Sequence, residues 1–184
     1  MNKYSEHDEV LNSVQQWVSS FVVNLNLCPF ANRELSKNRV RFTLSTATSE
    51  QQLLTELQAE LELLTADSSV ATTLLIHPLV LQDFKLYNQF LSHAETLVQQ
   101  MALEGVYQIA SFHPNYQFAG TELDAAENYT NRSPHPMLHL LREESLEQAL
   151  GSFPQIDQIP QRNIELMRKL GTAKLIKKRL ACFD

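Results

Sequence analysis

Thr72-Thr73-Leu74-Leu75-Ile76-His77-Pro78 and, further along, Val106-Tyr107-Gln108-Ile109-Ala110-Ser111-Phe112-His113-Pro114 decide the fold. Each is a short run of strand-favouring residues halted by the same His-Pro pair. Proline lacks the ladder N–H and forces its predecessor into extended geometry, so both runs end at the histidine. Between them Phe84, Tyr87, Leu91, Ala94, Val98 and Met101 recur at helical spacing. This predicts a helix over Gln82–Leu103, closed by Gly105. A strand, a helix and a second strand form a right-handed crossover between parallel strands. Both histidines then emerge on the carboxyl edge of one sheet, where open α/β sheets place their ligands.

The same reading extends outward. Val40, Phe42 and Leu44 alternate with Arg39, Arg41 and Thr43, the period of a strand. Ser49 is placed to cap a helix whose buried face is Leu53, Leu57, Leu61 and Leu64. Leu11, Val14, Val18, Phe21 and Leu25 predict a first helix from Ser5 to Leu27, stopped before Pro29. Past the second His-Pro pair, Met137–Leu141 reads as a fourth strand and Glu143–Leu150 as a short helix. Gly151-Ser152-Phe153-Pro154 is the one plausible hinge, and Arg162–Leu180 is helical with a break at Gly171. The order predicts an α/β fold: a small three-layer or two-layer sandwich of about four strands, at least three of them parallel, with flanking helices. One domain over residues 1–184 is expected, with 155–184 as a helical C-terminal appendage. A thioredoxin-like succession is the alternative topology. Its redox motif is missing, because Ser45-Thr46-Ala47-Thr48 follows the first strand where Cys-x-x-Cys would stand.

Composition narrows the function. With 43% apolar and 20% charged residues the chain is ordinary globular material rather than a disordered one. Nothing approaches the ~20 apolar residues of a membrane span. The N-terminus lacks the basic and apolar regions of a signal peptide, and two cysteines do not make a disulfide framework. A cytoplasmic protein with no membrane partner is the expectation. The net charge of −6 is uneven: residues 168–184 carry +5 and the rest −11. An acidic chain is ill suited to nonspecific nucleic-acid binding, and the basic tail reads as the solvated face of a terminal helix.

Residues 113–136 connect two strands at far greater length than the usual two to six residues, and such loops are commonly functional. Tyr116, Phe118 and Tyr129 would anchor this one. Its polar residues suit recognition of a carboxylate, phosphate or amide, since arginine offers a planar donor fork and histidine exchanges protons near neutrality. The catalytic candidates are His113, oriented by Asp124 or Glu127, and His139 on the fourth strand. The candidates for holding an anionic small molecule are Asn128, Asn131, Arg132, Ser133 and Arg142. The same residues serve equally as ties that pin a long loop, which would make this a non-catalytic interaction or structural protein. There is no Gly-rich phosphate loop, Walker sequence or Gly-x-Ser-x-Gly.

Phe112-His113-Pro114-Asn115-Tyr116-Gln117-Phe118-Ala119-Gly120, Glu127-Asn128-Tyr129-Thr130-Asn131-Arg132-Ser133-Pro134 and Pro136-Met137-Leu138-His139-Leu140-Leu141-Arg142 together resemble the signature of an uncharacterised family. It is the domain-of-unknown-function family numbered fourteen-fifteen. Leu27-Cys28-Pro29-Phe30-Ala31 is similar to its N-terminal motif, so the resemblance covers nearly the whole chain. It implies no activity, substrate, cofactor or catalytic residue.

Cys28 sits where the first helix should end, among apolar neighbours, which favours a buried, inert thiol. A reactive Cys28 would need Arg33 or a folded-in histidine beside it. Metal binding is a further alternative, resting on His77, His113, His139, Asp124, Glu127 and Cys28. None of these pairs has zinc-ribbon or His-Glu-x-x-His spacing, so only tertiary convergence could build such a site.

Overall fold

The structure is a computed structural model that describes residues 3–146 and 158–184. Helix α1, Lys3–Trp17, continues into a π-helical stretch, Val18–Val23, where the expected first helix would have stayed α-helical. There Ser19 and Ser20 return their hydroxyls to the carbonyls of Gln15 and Gln16, at 2.8 and 2.7 Å. Such back-bonding, beside β-branched Val18, Val22 and Val23, loosens the α-helical ladder. Asn24 caps this stretch, and Asn26, at φ +52°, turns the chain just beyond it. A short helix that the sequence did not announce, α2 (Ala31–Ser36), leads to strand β1, Val40–Leu44.

Helix α3 spans Glu50–Ala66, and the Ser49 hydroxyl accepts from the Gln52 N–H as expected of its cap. Strand β2 is Thr72–Ile76. Helix α4, Phe84–Gln100, is capped by Asp83, whose carboxylate accepts from the Leu86 N–H. Strand β3 is Tyr107–Phe112, a 3-10 turn occupies Ala126–Thr130, and strand β4 is Met137–Arg142. Helices α5 (Ile159–Leu170) and α6 (Thr172–Leu180) meet at Gly171, whose φ of +77° makes the expected break. Residues 143–146 are helical; the rest of the Glu143–Leu150 helix, and the Gly151–Pro154 hinge, lie outside the described residues.

The four strands form one mixed sheet in the order β1-β2-β4-β3. Only β1 and β2 pair in parallel, so the expectation of at least three parallel strands is corrected. β3 points the same way as β1 and β2 but never pairs with them, because β4 lies antiparallel between β2 and β3. Burial explains the insertion. β2 is buried at every position, and Met137, Leu138 and Leu140 of β4 are fully buried, so these two strands take the centre. β1 and β3 carry Arg41 and Gln108 and take the edges.

Helices cover both faces. On one, α3 and α4 pack Leu53, Leu57, Leu61, Leu64, Phe90 and Ala94 against Leu75, Leu138 and Leu140. Arg41 joins β1 to α3 there by a two-pronged pair with Glu60, at 2.8 and 3.0 Å. On the other face, α1, its π-helical extension, α5 and α6 pack Val14, Trp17, Phe21, Met167 and Leu175 onto Leu74, Ile76 and Met137. The C-terminal helices thus contribute fully buried side chains to this second core.

Candidate functional site

Leu44, Ile76, Met137 and Phe112 stand in register along one edge of the sheet, which sets His77 and His113 beside each other on that edge. It is not an open crevice. Both imidazoles are fully buried, and the Tyr87 ring lies 5.8 Å from His77 and 5.1 Å from His113. The Tyr87 hydroxyl donates to the Met137 carbonyl and accepts from the Phe112 N–H, tying α4 to the ends of β3 and β4. His113 Nδ1 accepts from the Asn115 N–H at 3.0 Å, so Nε2 is the donor, to the Leu81 carbonyl at 3.2 Å. Leu81 has φ +58°, a costly conformation for a leucine, and His113 is the group that holds its carbonyl. Burial lowers the His113 pKa, in keeping with a neutral ring whose two nitrogens are both in use.

The residues expected to surround His113 are employed elsewhere. Glu127 pairs with Arg168 of α5 at 2.6 Å, which holds its carboxyl below the ordinary range. Asp124 is exposed, and its backbone carbonyl accepts from the Thr172 hydroxyl. The Asn128 Oδ1 accepts from the Phe118 N–H and the Thr121 hydroxyl, while its amide donates to the Glu122 carbonyl. Asn131 donates to the Ser111 carbonyl, and the Ser133 hydroxyl to the His135 carbonyl. Arg132 donates to the carbonyls of Tyr116 and Leu123, at 2.9 and 2.6 Å, and lies 4.8 Å over the Tyr129 ring. Arg142 turns to the other face of the sheet. It donates to the carbonyls of Leu64, Asp67 and Val70 at the end of α3 and just beyond it, and to the Tyr107 hydroxyl. These side chains knit the 113–136 loop and the end of β4 into the protein.

His139 is different. It projects from the centre of β4 onto the α1 face, between Leu74 of β2 and Ala110 of β3. Ala110 is too small to fill the space above the sheet, and the surrounding elements leave a cavity of about 320 Å³. Its walls are mainly apolar: Leu74, Phe112 and Leu141 from the sheet, Trp17 and Val22 from the first helix, Leu35 from α2. Cys28, Arg33, Glu34 and Arg39 also line it, so the arginine and histidine that a reactive Cys28 would require share a cavity with that thiol. Burial takes the His139 pKa down to about 4, which leaves the ring neutral at pH 7.

Among the described residues, no three of His, Cys, Asp and Glu converge as metal ligands, and no helix is long and apolar enough to cross a membrane. Sequence reasoning singled out His139 but not the walls around it. The available signal was a lone histidine among the apolar residues Met137 and Leu141 on one strand face, opposite an alanine.

A family model described as "Protein of unknown function (DUF1415)" matches residues 9–177. The chain belongs to this family. The DUF1415 match spans the cavity-lining residues from Trp17 to Leu146, the 113–136 loop and helix α5. No curated protein and no solved structure matches the chain.

Proposed function

We propose that this DUF1415 protein binds a small, largely apolar molecule in the cavity over the centre of the sheet, with His139 as its polar contact. The observation that carries this is the cavity itself. Protein interiors are packed as densely as organic crystals, and about 320 Å³ of mainly apolar space is far more than a packing fault. That volume falls in the range of small-molecule sites, and a few polar groups in an apolar wall are their usual composition. The loop residues first considered for an anion already have partners inside the protein, which supports moving the site to the sheet face.

Trp17, the sole tryptophan, lines the cavity and reports its occupancy by fluorescence. Toluene is expected to perturb Trp17 emission and raise the melting temperature of the wild type. Ala110→Leu, which puts a branched side chain into the space, should fold and lose both responses. A wild type indifferent to toluene in both measurements would overturn the reading.

A further inference from the structure

The hydroxyl of Thr72 fixes what His139 can offer a ligand. Thr72 Oγ1 lies 2.5 Å from the Leu140 carbonyl oxygen and 2.7 Å from His139 Nε2. Both distances require a proton between the heavy atoms, and a threonine hydroxyl has one. A carbonyl has none to give, so the Thr72 proton points to Leu140. The second proton must come from the imidazole: Nε2–H donates to Thr72. In a neutral ring, the state that burial in this apolar setting imposes, Nδ1 then carries a bare lone pair. No hydrogen bond from the described residues reaches it. His139 is half-buried and lines the cavity, so that lone pair is the acceptor this side chain has left for a ligand.

We infer that the cavity selects an uncharged molecule with an apolar body and one hydroxyl or N–H group, which donates to Nδ1 of His139. A carboxylate or phosphate would bring an acceptor to an acceptor, and would lose its hydration against apolar walls. The cations of the cavity wall are already engaged: Arg33 and Arg39 pair with Glu34, which also lines it, at 3.5 and 3.4 Å, and Arg142 donates to backbone carbonyls. A ketone or ether would fit the walls but leave Nδ1 without a proton. This inference rests on the cavity reading above and adds the chemistry of the ligand.

Four probes built on one ring separate the two. Methylcyclohexane has no polar group, cyclohexanol donates, cyclohexanone only accepts, and cyclohexanecarboxylate is anionic. Trp17 emission is read during titration of the full-length protein with each. Cyclohexanol is expected to bind roughly 3–10-fold more tightly than cyclohexanone, the worth of one net hydrogen bond, with the carboxylate weakest. The preference should vanish in His139→Leu. In the wild type, nitrogen NMR of the His139 ring gives a reading that does not depend on that variant folding. It should show the Nε2–H tautomer, with Nδ1 moving upfield on addition of cyclohexanol and not of cyclohexanone. If methylcyclohexane binds but the ketone or the carboxylate matches cyclohexanol, or if the ring is the Nδ1–H tautomer, the ligand class is overturned and the cavity reading stands. If none of the four perturbs Trp17, the cavity reading falls and takes this inference with it.

Discussion

Arg132 and Arg179 both reach the turn that follows β3. Arg132 donates to the carbonyl of Tyr116, and Arg179 to that of Pro114 at 2.5 Å. Arg132 also donates to Leu123 across the loop and stacks on Tyr129, so its planar fork closes the loop from the inside while being almost wholly buried. A lysine keeps the charge, but a single ammonium cannot reach two diverging carbonyls and stack on a ring at once. Arg132→Lys is therefore expected to destabilise the protein by about 1–3 kcal/mol, through a carbonyl left buried without a donor. Urea unfolding at neutral pH measures this, and an unchanged midpoint would mean that the loop does not need the fork. The importance of Arg132 was legible in Asn131-Arg132-Ser133-Pro134. Its partners were not, because they are backbone carbonyls, which carry no residue signature.

At the scale of elements, the strands and long helices were legible because each has a strict period or a chemical stop. β1 coincides with the alternation read from Val40–Leu44, and β2 with the short run Thr72–Ile76 that His77-Pro78 halts. Pairing was not legible, since β4 next to β2 rather than at an edge depends on a loop whose path no local pattern encodes. The π-helical stretch and α2 escaped for the opposite reason. They are short, and Val18-Ser19-Ser20-Phe21 reads equally well as ordinary helix. Yet these two elements supply one wall of the cavity, which is why the sequence pointed to the loop instead. Arg142 joins the elements on the other face. Its guanidinium meets the carbonyl of Leu64, left without a partner at the C-terminus of α3, together with that of Asp67 and the Tyr107 hydroxyl. A cation there also opposes the negative end of the helix dipole. Arg142→Ala should cost on the order of 2 kcal/mol and show as faster amide exchange in the last turn of α3. Exchange that accelerated equally in α1 would assign the loss to the whole fold rather than to this cap.

Across the whole molecule, net charge is less informative than where protons are refused. His77 and His139 lie on opposite faces of β2 and β4, and burial takes each down to about 4 from an ordinary 6.5. His77 donates from Nδ1 to the Val80 carbonyl at 3.1 Å, and its Nε2 is buried without a partner, so a second proton there would find no acceptor. The unfolded chain takes up both protons as pH falls past ~6.5, whereas the folded chain declines them until pH ~4. Stability from these two sites is therefore complete above about pH 6.5 and drains away between 6.5 and 4. The limit is on the order of 3 kcal/mol for each site. His113 and His135, also lowered by burial, act in the same direction. Urea unfolding between pH 7 and 4.5 should give a stability that falls steeply below pH 6.5. In His77→Asn, whose amide can replace the Nδ1 donor but not titrate, the slope near pH 5 should shrink by close to one proton. Ligand in the cavity provides a second check. A donor seated on His139 Nδ1 occupies the lone pair that protonation needs, so near pH 4, where the folded ring begins to take up its proton, cyclohexanol should lose more of its affinity relative to pH 7 than methylcyclohexane does. A slope near pH 5 that the His77 variant leaves unaltered would mean that the acid sensitivity arises from the carboxylates.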